Sequence, residues 1–180
     1  MTQDYAEVKS IAIGAHTIEF GPAFPPTVAA RAAWRAFARD FYFDRFGGRG
    51  VWLAADWQRT GTWPIGDGLI NEALLEIDGL PLRTARYSLV DMPFIENLLR
   101  SPGFQWDGIL LIDHVGSYDA LVTCVRQWFD SIENEQSLLH TKRDAVYPVA
   151  DGFGLRYTNA SRTVEALTAD VHRLVAAGAQ

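Results

Sequence analysis

The sequence has little cysteine and lacks the usual metal motifs. Cys124 is its single cysteine, so the chain cannot form an internal disulfide. It has no Cys-x-x-Cys motif, no His-Glu-x-x-His motif and no closely spaced histidine pair, which are the common patterns of zinc sites. These absences exclude a structural zinc domain. We expect neither a metal nor a cofactor.

Long apolar runs are also missing. No stretch approaches the 18 or so apolar residues that a membrane-spanning helix needs. The first ten residues, MTQDYAEVKS, have neither the basic region nor the apolar run of a signal peptide. Together with the lone cysteine, this predicts a cytoplasmic protein that has no membrane partner.

Phosphate-binding glycine motifs and excess positive charge are absent as well. Gly61, Gly66 and Gly68 match neither the dinucleotide-binding nor the P-loop pattern. The net charge is −6, and lysine occurs only at Lys9 and Lys142. Nucleic-acid binding needs a basic face to neutralise phosphates, so we expect no nucleic-acid partner. A negative charge favours a basic partner, although it also simply keeps a protein soluble.

What the sequence contains is enough apolar material for one folded domain. A chain of 180 residues with 48% hydrophobic content buries a proper core, so residues 1–180 are predicted to form a single globular domain. Asp78-Gly79 and Asp151-Gly152, each between extended segments, predict hairpins. We therefore expect an α+β fold, with a mostly antiparallel sheet of about six or seven strands and about four helices packed on it. The predicted extended segments are Val8–Phe20, Val51–Ala55, Ala73–Ile77, Leu82–Leu89, Gly108–Val115, Ala145–Val149 and Phe153–Tyr157.

Capping residues and apolar spacing predict the helices. One helix spans Thr27–Phe46, and another extends to Arg100 from an Asp91 cap. Ser117 caps a long third helix, and Ser161 caps a final helix from about Arg162 to Ala177. The third helix has an apolar stripe at helical spacing, formed by Tyr118, Leu121, Val122, Val125, Phe129 and Ile132.

An aromatic loop is the most unusual feature of the chain. The segment Val51–Gly68 reads VWLAADWQRTGTWPIGDG and carries Trp52, Trp57 and Trp63 beside Asp56 and Asp67. Tryptophan combines a large apolar area with one N–H donor, so it favours interfaces and the rims of pockets. The loop is therefore either a recognition surface or a lid folded back on the core.

Two charged groups have both a binding and an ordinary interpretation. Asp130, Glu133 and Glu135 crowd a helix C-terminus, where the helix dipole disfavours negative charge. They either attract a basic partner or form a solvated helix end. Arg31, Arg35 and Arg39 recur at every fourth residue of the first helix. They either contact an anion or, as we expect, pair with Asp40 and Asp44 of the same helix.

Candidate catalytic residues are few. Asp113 and His114 lie at a strand end, where active residues are common, but adjacent strand residues point to opposite faces. Cys124 lies about two turns into its helix, so we expect it to pack in or near the core. An enzyme built from these residues would be a small hydrolase or transferase with a site around Asp113 and His114, and with His140 as a further member.

The aromatic loop and the acidic helix end give the chain a resemblance to the immunity proteins of bacterial polymorphic toxins. The resemblance is one of general character and involves no aligned motif. It implies a cytosolic non-enzyme that neutralises a cognate toxin, such as a nuclease with a basic channel, by steric and electrostatic occlusion. The partner-binding residues would be Trp57, Trp63, Asp56, Asp67, Asp130, Glu133 and Glu135. The enzyme above and a structural or assembly subunit remain as alternatives, and the oligomeric state is not predicted.

Overall fold

The fold is built around one antiparallel sheet. The computed structural model describes residues 8–22, 27–56, 68–77, 79–114, 116–134 and 136–178. Within these ranges the chain forms eight strands and five helices. The strands are β1 (Val8–Gly14), β2 (Thr17–Pro22), β3 (Val51–Asp56), β4 (Leu69–Ile77), β5 (Leu80–Tyr87), β6 (Ile109–Asp113), β7 (Ala145–Val149) and β8 (Gly154–Thr158). The helices are α1 (Val28–Phe46), α2 (Met92–Arg100), α3 (Pro102–Gln105), α4 (Tyr118–Glu133) and α5 (Val164–Gly178).

The order of strands across the sheet is β1-β2-β8-β7-β6-β3-β5-β4. Every neighbouring pair is antiparallel, which confirms the predicted α+β class with an antiparallel sheet. The eight strands of the described ranges exceed the predicted six or seven, because each segment predicted as extended joins this one sheet. β1 and β4 are its two edges.

The central strands are apolar on both faces, and helices cover both. Along β3, Val51 and Leu53 face a core formed with α1, α2 and α5, whereas Trp52 and Ala54 face a second core formed with α4. β6 alternates in the same way, with Leu111 on the first side and Leu110 on the second. A strand without a polar face cannot border water, so this sequence requires a helix layer on each side.

The helix starts follow side-chain caps, with one correction to the predictions. The N–H of Phe94 donates to the Asp91 carboxylate over 2.8 Å, and Ser117 accepts from Ala120 over 3.2 Å, as predicted. The predicted cap at Ser161 is wrong. Thr163 accepts the N–H of Ala166 instead, over 3.3 Å, so α5 begins later than expected.

The buried face of α4 also differs from the predicted stripe. Leu121, Val125 and Phe129 are buried as expected, and so are Cys124 and Trp128. Tyr118 from the predicted stripe is exposed instead. The spacing of residues along a helix does not show where the covering sheet ends, and this accounts for the difference.

The turn between β7 and β8 has an unusual backbone. Among the described residues, three non-glycine residues have positive φ. Ala150 and Asp151 of this turn have φ values of 54° and 56°, and Asp107, which precedes β6, has 56°. The Asp107 carboxylate accepts the N–H groups of Asp151 and Gly152, both over 3.0 Å. The indole N–H of Trp34 donates to the Gly152 carbonyl over 2.8 Å, so this strained turn is fastened to α1.

We predict that Gly152→Ala destabilises the protein more than Gly79→Ala. Both glycines have positive φ, +76° and +81°, where a β-carbon costs about 1 to 2 kcal/mol. A β-carbon at Gly152 would also lie 2.9 Å from the Phe104 carbonyl oxygen, whereas Gly79 has open space. Urea unfolding measures both losses in the free energy of unfolding. Equal losses would show that the Phe104 contact relaxes without cost.

Candidate protein-binding surface

The predicted aromatic loop can be followed only at its two ends. Trp57, Trp63 and Asp67 lie outside the described residues. Asp56 closes β3 and is only 7% exposed, and its N–H donates to the Gly108 carbonyl over 2.9 Å. Asp56 therefore lies at the buried end of the strand, and its part in binding a partner stays a prediction.

The acidic helix end is at the surface. Asp130 and Glu133 are exposed in the last turn of α4, and that turn contains no basic residue. Glu135 lies outside the described residues. The same turn also carries Ser131, which lines a cavity together with Asp107, the residue before Gly108. The acidic helix end and the start of the aromatic loop therefore lie at the same end of the sheet.

Asp113 and His140, two residues of the alternative catalytic site, have different partners. The Asp113 carboxylate accepts the backbone N–H of His114 over 2.8 Å and lies 3.9 Å from the Arg49 guanidinium. The His140 ring instead contacts His16, with 6.4 Å between ring centroids. Across the part of the chain that the structure describes, no group of three or more His, Cys, Asp or Glu side chains is arranged to hold a metal ion.

Cys124 is packed as predicted. It is 6% exposed within the α4 core, and burial raises the pKa of its thiol, although a hydrogen bond with Thr141 opposes this effect. A thiol of this kind is a poor nucleophile at neutral pH, because only the thiolate reacts.

Among the described residues, four of the nine large apolar side chains that are exposed lie on β4 or beside it. Leu69, Ile70 and Leu74 of β4 are 42%, 54% and 67% exposed, and Leu89 is 50% exposed. Leu89 belongs to the same surface as the start of β4, because the backbone of Gly68 lies against Leu89 and accepts the N–H of Ser88 over 2.8 Å. We call these four residues the β4 surface.

The β4 surface lies on an open strand edge. Within the described residues β4 pairs with β5 alone, so the outer side of nine residues of backbone is without a neighbouring strand. Glu72 forms an ion pair with Arg83 on β5, and Glu76 is exposed. An exposed edge with apolar side chains is a ready template for another strand, and proteins usually blunt such edges with charged side chains, proline or bulges. β4 has two glutamates and a register irregularity between Leu69 and Asn71 but no lysine or proline, so its apolar side chains remain available to a partner.

The β4 surface was missed from the sequence. The sequence predicts only residues 73–77 of this strand as extended and assigns Leu69 and Ile70 to no element. Their apolar side chains are compatible with a longer strand. Which strand lies at an edge depends on the pairing order of the whole sheet, and no local pattern contains that information.

A polar cluster joins α1, α5 and β8 and was not predicted either. The Asp170 carboxylate accepts hydrogen bonds from Arg45 over 2.8 Å and Arg162 over 2.6 Å. The Tyr157 hydroxyl donates to Asp144 over 3.0 Å, and burial, followed by the charge of Asp144, raises the pKa of this phenol. Because its acids and bases are matched to one another, the cluster has the character of a structural fastening between helices.

Of the three arginines Arg31, Arg35 and Arg39 on α1, only Arg39 forms one of the predicted ion pairs within the described residues. Arg39 pairs with Asp40 over 2.8 Å. Asp44 is taken by Arg45 and by Arg173, the latter over 2.8 Å. Among the described residues, no carboxylate lies within ion-pair distance of Arg31 or Arg35. The expectation that the whole row pairs with Asp40 and Asp44 is therefore wrong, because ion pairs along a helix mostly join residues three or four apart, and both carboxylates lie further than that from Arg31 and Arg35.

Comparison with family models, curated proteins and solved structures found no match to this chain. None of the helices in the described ranges has the length and apolar character needed to cross a membrane. The function is therefore inferred from the geometry of the chain's own residues.

We predict that Asp44→Asn lowers the free energy of unfolding at pH 7 and that the loss shrinks in acid. Burial raises the pKa of Asp44, but hydrogen bonds from Arg173 and Arg45 outweigh burial, so the net pKa is lowered. A lowered folded-state pKa stabilises the fold above the unfolded-state value, and this contribution is lost as the pH falls through the folded-state pKa.

Urea unfolding of the wild type and the variant at pH 7 and at about pH 3 measures this difference. Asp40→Asn is the matched control. Its partner is the adjacent Arg39, and both side chains are about one-third exposed, so its effect should be small. A loss at Asp44 that is equally large at both pH values would contradict the prediction.

Proposed function

We propose that this chain is a cytoplasmic binding protein that neutralises a basic cognate protein, in the manner of a toxin immunity protein, by covering its working surface. The observation that carries the proposal is the β4 surface, four exposed apolar residues on and beside an open strand edge. Grouped apolar residues of this kind are typical of protein interaction sites. A partner strand placed along β4 would gain backbone hydrogen bonds, with the apolar side chains adding specificity.

Charge supports a basic partner. The chain carries a net charge of −6, Glu76 is exposed on β4, and Asp130 and Glu133 are exposed on α4. Acidic groups on the surface of a protein speed its encounter with a basic partner and affect the dissociation less. This is the role we propose for Asp130, Glu133 and Glu135.

Sequence position supports a part for the aromatic segment. Trp57, Trp63 and Asp67 lie between Asp56 at the end of β3 and Gly68 at the start of β4, so the chain connects them directly to the β4 surface. Large aromatic side chains dominate the binding energy of many interfaces. In this proposal Trp57 and Trp63 anchor the partner, and the edge strand extends the contact.

The test compares two exposed aliphatic residues on opposite edges of the sheet. Leu74 on β4 is 67% exposed, and Ile11 on β1 is 60% exposed. Replacing either by lysine at so exposed a position should change the free energy of unfolding by no more than about 0.5 kcal/mol. Leu74→Lys places a positive charge against a basic partner, whereas Ile11→Lys places the same charge at the far edge.

The wild type is used to isolate a stoichiometric partner from the native host, beginning with the product of the neighbouring open reading frame. Affinities are then measured for the purified pair. We expect Leu74→Lys to weaken binding at least tenfold and Ile11→Lys to leave it unchanged. We expect Trp57→Ala or Trp63→Ala to weaken it by about 2 kcal/mol without unfolding the protein. Co-expression should relieve the partner's toxicity with the wild type and less well with Leu74→Lys.

Equal binding by Leu74→Lys and Ile11→Lys would remove β4 from the interface. A partner that has no toxic or enzymatic activity for this chain to inhibit would overturn the immunity role. Loss of the folded state in either tryptophan variant would identify that residue as core and refute its role as an anchor.

A further inference from the structure

A cavity on the α1 side of the sheet has the composition of a small-molecule site. Its volume is about 380 Å³, within the usual range for ligand pockets. It lies between the first turns of α1, α3 and the strained turn after β7, far along the sheet from the β4 edge. The residues that matter to its chemistry are Arg31, Trp34, Arg35, Phe104, Asp151 and Phe153.

The floor of the cavity is apolar and held in place. Trp34 and Phe104 are 2% and 4% exposed, and the Trp34 indole N–H is fixed by the Gly152 carbonyl. Gly152 itself is fixed by the Asp107 carboxylate over 3.0 Å. Fixed aromatic walls reduce the entropic cost of binding a flat apolar group.

The rim carries two arginines, Arg31 and Arg35, one helical turn apart. Within the described residues neither forms an ion pair, and Asp40, the nearest carboxylate along α1, pairs with Arg39. Like charges at this spacing repel each other weakly. Arg31 stacks over the Phe153 ring, 5.1 Å from its centroid, which holds one guanidinium beside the aromatic floor.

Asp151, the third charged residue of the cavity, lowers its positive charge and so affects which anions fit. Asp151 lines it together with Arg31 and Arg35, so the formal charge of the lining is +1. This charge suits a monoanion and is too small to neutralise a dianion. A carboxylate also matches the planar fork of an arginine.

We propose that this cavity binds a small monocarboxylate that carries an aromatic or other flat apolar body. The carboxylate lies between Arg31 and Arg35, and the apolar body packs on the half-buried Phe153 ring, above a base that Trp34 and Phe104 close. The site is independent of the protein-binding surface, and its success or failure leaves the proposed function unaffected.

The test titrates the ¹⁵N-labelled full chain at low salt with phenylacetate and follows the Trp34 indole N–H by NMR. We expect saturable shifts there with a dissociation constant in the millimolar range, as is usual for a ligand of about ten heavy atoms. The neutral isostere 2-phenylacetamide should bind at least tenfold more weakly. Acetate, which lacks the apolar body, should also bind at least tenfold more weakly.

Matched variants locate the anion. Arg31→Gln and Arg35→Gln should each weaken phenylacetate binding about tenfold, because each removes a charge-assisted hydrogen bond. Arg39→Gln changes the next arginine of the same row, which pairs with Asp40, and should leave the affinity unchanged. Asp151→Asn should raise the affinity for phenyl phosphate more than that for phenylacetate.

Three results would overturn the proposal. The first is the absence of a saturable shift of the Trp34 signal with phenylacetate. The second is an equal loss of affinity in all three arginine variants, which would indicate general charge attraction. The third is tighter binding of phenyl phosphate than of phenylacetate by the wild type, which would refute the selection for a monoanion.

Discussion

The burial of β3 and β6 on both faces is the constraint on which the rest of this structure depends. Neither strand offers a polar side to water, so α1, α2 and α5 cover one face and α4 covers the other. α1 and α5 also pack on β2, and α5 packs on β1, so helices cover the sheet as far as its β1 edge. Among the described residues, neither β1 nor β4 has a neighbouring strand on its outer side.

The edge position of β4 explains why the proposed binding surface lies where it does. Folding places the strongest apolar segments at the centre, and Leu69, Ile70 and Leu74 of β4 remain exposed. Polar residues at all of these positions would have been the safer solution against unwanted strand pairing. Retaining leucine and isoleucine there is consistent with a partner that covers them, which is the physical basis of the binding function proposed above.

On the α1 and α5 side of the molecule, several arginines share the carboxylates of Asp44 and Asp170. α5 brings Arg173 to Asp44 and places Asp170 against Arg45 and Arg162. The contacts between the two helices join residues distant in sequence and are partly buried, so they fasten α5 to the C-terminal half of α1. Arg31 and Arg35 lie nearer the N-terminus of α1, beyond helical pairing distance of Asp44.

The sequence by itself determined the fold class, most of the elements and their caps, since apolar periodicity, Asp-Gly turns and capping side chains are local properties. It also identified Cys124 as packed and Asp130 and Glu133 as an acidic helix end. Only the tertiary structure decided that Asp56 is buried, that β4 is an edge and that Asp44 belongs to Arg173. Each of these depends on which distant segments meet, and the pairing order of a sheet is a property of the whole chain that no local pattern encodes.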